Sequence, residues 1–328
     1  MAYETLSRRD RKARHLAVAA HLRATFPGDG EEILDVVARH YLDALDAAPD
    51  DPDAADIRAL AVAALARAGD RAGRAGAAAQ AMSSYLQAAD LVDDAHDPRV
   101  ADLLLRAAQA TTLQPASAAA VEIAERAVAA SIDVGDERAV ARARTTLGGL
   151  LRRLGRHADA RVQLTASVEV LREHPDVDAA HAIEQLAKLE AFAGTAVANA
   201  LTDEALAVVA ALGLPGRLPT ALITRANHLY IAGRRVEAAM CLREAARLAD
   251  EHEDLPVSAS AALNLANVLS ADDPVAAAGA ARRSIDLSIR SGDRFSLGTG
   301  VANLVIALAT TADWDEASTT LTDHPDSH

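Results

Sequence analysis

The chain lacks most of what a globular protein of its length uses to build a core. Aromatic residues make up 2% of its 328 positions, with one tryptophan, and there is one cysteine, Cys241. A single cysteine excludes an internal disulfide and fits a reducing compartment, so the expected location is the cytoplasm. No stretch of about 18 or more strongly apolar residues occurs, so no membrane span is expected, nor is a signal peptide. Strand patterns are equally scarce, because nowhere do β-branched and aromatic residues alternate with polar ones. The only lysines are Lys12 and Lys188. No Gly-x4-Gly-Lys-Ser/Thr loop occurs, so the phosphate cradle of a nucleotide-binding site is missing. Acidic side chains outnumber basic ones, 47 to 33, giving a net charge of −14. That sign argues against a broad nucleic-acid footprint.

What the chain has is alanine. Hydrophobic residues are 51% of the sequence, and alanine dominates them. Methyl-sized side chains let helix axes approach toward the short end of the roughly 8–10 Å range. The expected fold class is all-α.

Short turn signals recur 39 residues apart at Gly155-Arg156, Gly194-Thr195 and Gly233-Arg234. The spacing extends back to Gln114-Pro115 and Gly76, and forward to Asp272-Asp273-Pro274 and Ala312-Asp313. A small residue follows each turn: Ala81, Ala120, Ala160, Ala200, Ala238, Ala277 and Ala317. A second set of turns falls between these, at Gly135-Asp136, Leu212 to Pro215 and Gly292-Asp293. Asp51-Pro52, Asp97-Pro98 and Asp273-Pro274 each read as a helix cap followed by proline in the first turn. Each period is therefore expected to hold two helices with a tight connection. No such pair buries its apolar face alone, so stacked neighbours must supply the core. The expected organisation is an N-terminal helical pair over 1–50, about seven pairs over 51–323 and a polar tail over 324–328.

This pattern resembles the tetratricopeptide repeat (TPR), lengthened from its usual period of about 34 residues. "NLAN" at 264–267 matches the first-helix motif, with partial matches at Ala226-Asn227, Asn303-Leu304 and Thr146-Leu147-Gly148. Ala81-x3-Tyr85-x2-Ala88 and Ala238-x3-Leu242-x2-Ala245 match the second-helix motif. The fourth unit, about 177–212, fits only with a slip of one or two residues. The resemblance implies a right-handed α-solenoid of antiparallel helix pairs whose first helices line a concave groove. It places Asn227, Tyr230, Asn264, Asn267 and Asn303 there as partner-binding candidates. Amides offer two donors and an acceptor, suited to an extended peptide or a terminal carboxylate. Bonding to neighbouring loops, or to water alone, remains the alternative.

The N-terminal part, with "RRDRKARH" at 8–15 and "DAAPDDPDAAD" at 46–56, resembles a stretch of large actinobacterial signalling ATPases of the AAA or STAND type. Many of these carry class III adenylate/guanylate cyclase or LuxR-type domains. There the stretch opens the C-terminal helical repeats, so the resemblance implies a sensor or interaction region of a larger protein. Arg8, Arg11 and Arg14 recur at helical spacing as a basic stripe, either a solvated face or a docking surface for an acidic module or a nucleic acid.

No His-Glu-x2-His or Cys-x2-Cys spacing occurs among the eleven histidines and one cysteine, so no metal and no cofactor are expected. Cys241 reads as a small core residue, and Trp314 as packing in the last turn. No catalytic constellation assembles. The expected function is non-enzymatic: binding a protein or peptide partner, with an upstream ATPase module in cis among the candidates. A small-molecule effector sensor and an oligomerisation scaffold are the alternatives.

Overall fold

The computed structural model of the chain describes residues 7–26, 33–113 and 116–324. Among these residues there are sixteen α-helices and no strands. The helices follow one another as hairpins. The first two pairs are α1 (Arg8–Thr25) with α2 (Leu34–Ala47) and α3 (Ala54–Arg74) with α4 (Ala78–Asp90). Next come α5 (Pro98–Ala110) with α6 (Ala118–Val134) and α7 (Glu137–Arg153) with α8 (His157–Leu171). Then follow α9 (Val177–Phe192) with α10 (Ala198–Ala211) and α11 (Leu218–Ile231) with α12 (Arg235–Glu251). The last pairs are α13 (Leu255–Leu269) with α14 (Pro274–Ser291) and α15 (Arg294–Thr310) with α16 (Trp314–Asp323). The chain divides into two compact units, one of residues 1–111 and 122–139, the other of 112–121 and 140–328.

Glycine sets the period because the tight turn inside a pair needs a left-handed residue. Gly76, Gly155, Gly194 and Gly233 hold φ between +64° and +78°. In the last pair the same place falls to Ala312, at φ +60°. Seven residues before those four glycines lie Gly69, Gly148, Ala187 and Ala226, all buried. These are the points where the first helix of a pair crosses the second. A Cβ on Gly148 would sit 2.5 Å from Leu164 Cγ, and one on Gly69 would sit 2.6 Å from the Tyr85 ring. On the facing helices, Ala81, Ala160, Ala238, Leu164 and Leu242 have no exposed surface. The expected crossing position at Ala200 is exposed, however, and Ala198 is buried in its place. The slip in the fourth unit is thus a two-residue shift of the crossing point along α10.

Two caps form as expected. Asp97 accepts from the Arg99 backbone N–H at 2.9 Å and Asp273 from that of Ala276 at 2.9 Å, each with proline opening the helix. Asp51-Pro52 does not cap. It lies in the turn before α3, and the Asp51 carboxylate is taken by Lys12 at 2.7 Å. Trp314, expected to pack in the last turn, is instead 64% exposed. Val197, Val236 and Val275 precede it at 39-residue intervals and are also exposed. The start of each of these second helices faces outward, whatever residue stands there.

In the second unit the layers are unequal. Among the described residues α9 packs on α11, α11 on α13 and α13 on α15, and no second helix makes a comparable contact with another second helix. An array with one closely spaced layer bends with that layer on the inside. Carboxylate–arginine pairs tie successive hairpins on the surface, such as Arg172–Glu204 at 2.7 Å and Arg282–Glu316 at 2.6 Å. Each such exposed pair contributes only about 0–1 kcal/mol.

Candidate functional site

The inner layer of the second unit gathers cations. Arg152 and Arg153 end α7, His181, Glu184, Gln185 and Lys188 lie along α9, and Arg217 precedes α11. His181, Glu184, Gln185 and Lys188 sit three and four residues apart, so they share one face of α9. Gln185 faces Gly149 of α7, its Oε1 lying 3.4 Å from where a Cβ would stand. Glycine there lets α7 and α9 close on one another.

At the floor, Arg217 donates to Glu184 Oε2 at 2.7 Å and meets His181 Nδ1 at 2.9 Å. Glu184 is fully buried, and its Oε1 has no partner among the described residues. Arg153 lies over the Phe295 ring, 4.5 Å from its centre, which links the end of α7 to the start of α15. Asp293, beside that ring in sequence, acts electrostatically on Arg153.

Arg152 and Lys188 have neither an ion pair nor a hydrogen bond among the described residues. Burial pushes the Lys188 ammonium down to about 8, and Arg152 and Arg217 lower it further against the opposing pull of Glu184. Burial, with Arg153 beside it, brings the Arg152 guanidinium to about 10. Burial also lowers His181, although its side chain keeps 41% of its surface open to solvent. His181 is thus poorly solvated by its surroundings yet reachable from solvent. Against four cations the site sets the fully buried Glu184 carboxylate and, acting on Arg153, the buried Asp293 carboxylate, in a chain of net charge −14. A group that would neutralise Arg152 and Lys188 is an anion.

The five expected groove residues divide. The Asn264 amide donates to the Ser260 carbonyl at 2.7 Å, one turn back on its own helix, which is how a helix interior accommodates an asparagine. Asn303 reaches across to the Leu263 carbonyl of α13 at 3.3 Å. The side chains of half-buried Asn227 and exposed Asn267 have no hydrogen-bond partner among the described residues. Tyr230 packs on the core and holds the Arg235 guanidinium 5.9 Å from its ring centre. In the first unit, Arg8 and Arg14 are exposed and Arg11 is half-buried. Between them Lys12 is buried and paired with Asp51 and Asp53. Cys241 is half-buried, and burial raises its thiol pKa, away from a reactive thiolate.

Sequence reasoning did not assemble the cation cluster. Arg152 and Lys188 stand 36 residues apart, close to one period, as do His181 and Arg217. The signal was there in Lys188, one of two lysines in an arginine-rich chain. The expected turn at Gln114-Pro115 and the start of the N-terminal stretch, residues 1–6, lie outside the described residues, as do 325–328 of the polar tail. No helix among the described residues is long and apolar enough to cross a membrane.

No family model matches the chain, and no curated protein matches it. Solved structures do. It is similar to the apo form of RapI, with a TM-score of 0.64 and 10% identity over 85% of this chain and 98% of that one. It is also similar to aspartyl phosphate phosphatase F from Bacillus subtilis, with a TM-score of 0.59 and 12% identity over 98% and 90%. A third is a signal transduction ATPase with numerous domains (STAND) carrying a tetratricopeptide repeat sensor, from Pyrococcus horikoshii. That match has a TM-score of 0.53 and 14% identity, covering 97% of this chain and 46% of the other. Likeness at these identities is likeness of fold. The chain is an all-α solenoid of antiparallel helix pairs of the tetratricopeptide-repeat type.

Proposed function

We propose that this chain is a non-enzymatic interaction module with a regulatory, sensing role, and that the inner layer of the second unit receives an acidic partner segment. The observation that carries this reading is that Arg152 and Lys188, on neighbouring first helices, have neither an ion pair nor a hydrogen bond among the described residues. Keeping desolvated like charges together weakens the fold, and an anionic ligand relieves that cost when it binds. The open amides of Asn227 and Asn267 supply hydrogen bonds for the rest of an extended peptide. The division of the chain into an N-terminal pair and a seven-pair array belongs to the same proposal. So does a parent protein in which an ATPase module lies in cis, the Arg8, Arg11 and Arg14 stripe facing it. The STAND protein, whose sensor is named as a tetratricopeptide repeat and whose length this chain covers by 46%, supports that extension.

The test selects peptides from an acidic library on the wild-type chain and measures their affinity for Arg152→Glu and Lys188→Glu. The selected peptides should bind each variant at least tenfold more weakly, with unchanged circular dichroism, and should weaken with added salt. Asn267→Ala should lower the affinity by a smaller factor. Selected peptides that bind wild type and both charge-reversal variants equally would remove the groove from consideration.

A further inference from the structure

The hairpin of the first unit brings together three residues that are scattered along the chain. His15 on α1 faces His40 and Asp43 on α2. The two Nδ1 atoms are 3.0 Å apart, and His15 Nδ1 is 3.6 Å from Asp43 Oδ2. One donor atom from each residue lies within 4.8 Å of the other two, and all three residues are half-buried. The ring centres are 5.2 Å apart and the planes tilted by 43°. The rings are therefore unstacked and approach one another by their Nδ1 edges.

As a network of hydrogen bonds this arrangement is frustrated. Each Nδ1 carries one proton at most, so His15 can serve His40 or Asp43 well, but not both. As a chelate it closes. A tetrahedral shell with bonds of about 2.0–2.1 Å sets neighbouring ligand atoms roughly 3.3 Å apart, and the two distances here bracket that spacing. We propose that His15, His40 and Asp43 bind a divalent transition-metal ion of the zinc class, with solvent completing the shell. Two imidazole nitrogens and one carboxylate oxygen select zinc, cobalt or nickel over magnesium and calcium, which take all-oxygen shells.

The ligands are held by contacts other than their own. His40 and Asp43 are three residues apart, on one face of α2. One turn before His15, Lys12 anchors α1 to Asp51 and Asp53. Toward the other end of α1, Arg23 donates to the Tyr41 hydroxyl at 3.2 Å. The hairpin is thus clasped on both sides of the three ligands, so an ion meets an assembled site. Bound there, it cross-links α1 to α2 and adds to the stability of that pair alone.

The test titrates the full chain with zinc chloride by calorimetry, alongside His40→Ala and Asp43→Asn, with cobalt(II) absorption as a second readout. Wild type should bind one equivalent at this site and show the intense visible band of low-coordinate cobalt. Each variant should bind at least tenfold more weakly and lose the band. His252→Ala, at a histidine of the second unit, should match wild type. Should His40→Ala disturb the circular dichroism, Asp43→Asn decides, since it keeps the side chain's shape and Asp43 leaves 38% of its side-chain surface open. Absence of a stoichiometric site in wild type, or equal affinities in wild type and Asp43→Asn, would overturn the proposal.

Discussion

Replacing Lys188 by methionine keeps most of the side chain's volume and removes its charge from the groove. The ammonium is held at about 8 against an ordinary 10.5. At pH 7 that difference costs the folded state about 3 kcal/mol at most, and solvent in the groove screens part of it. Lys188→Met should therefore stabilise the protein by about 1–3 kcal/mol at pH 7, although it alters the proposed binding site. The sign follows from the protons. Between about pH 8 and 10.5 the unfolded chain holds the Lys188 proton more firmly than the folded chain does, so wild-type stability rises with pH there. The methionine variant has no such slope, and its advantage should shrink by about half or more between pH 7 and pH 9.5. Urea unfolding of both proteins at the two pH values, followed by circular dichroism, measures this directly. A variant less stable than wild type at pH 7, or an advantage that does not change with pH, would refute the desolvated groove. The same variant should bind the acidic peptides at least tenfold more weakly.

Gly148→Ala sets two effects against each other. Helix propensity alone favours alanine by about 1 kcal/mol, and overpacking against Leu164 costs about 1–3 kcal/mol, so net destabilisation is expected in urea unfolding. Stabilisation would mean that α7 and α8 do not cross so closely. Ala312→Gly relieves a left-handed alanine, a strain of about 1–2 kcal/mol partly offset by glycine's freedom when unfolded. The net gain should be about 0.5–1 kcal/mol, read as a higher thermal midpoint. Arg217→Ala leaves Glu184 buried without its ion-pair partner and should cost about 3–5 kcal/mol at neutral pH. Adding Glu184→Gln to that change should recover part of the loss in the same unfolding assay.

The period was legible because its marks are local. A left-handed turn needs glycine, and a close crossing needs glycine or alanine seven residues earlier. Gly155 and Gly148 state both requirements within a few residues of sequence. Where another residue tolerates the same geometry, as Ala312 does, the mark survives only by register. Ala198 stands where Ala200 was expected because the crossing on α10 shifted while both positions kept alanine, so composition gave no warning. The groove was less legible for a different reason. Asparagines at repeat positions were easy to see, yet Asn264 spends its amide on its own helix and Asn303 on the preceding first helix. The cations that meet there come from separate hairpins, and which side chains meet depends on how far each first helix turns about its axis. His15 and His40 were hidden in the same way, 25 residues apart on two helices.

The stacking of Arg153 on Phe295 has a consequence for how the second unit opens. Most contacts in a solenoid join nearest neighbours, so its ends loosen one hairpin at a time, like beads sliding off a string. This clasp skips three intervening first helices and joins the end of α7 to the start of α15 as a buckle fastens a belt. Releasing it would remove a long-range tie without breaking any neighbour-to-neighbour packing. Anything threaded along the inside would then face a wider mouth, and admission and retention would become separate, adjustable properties.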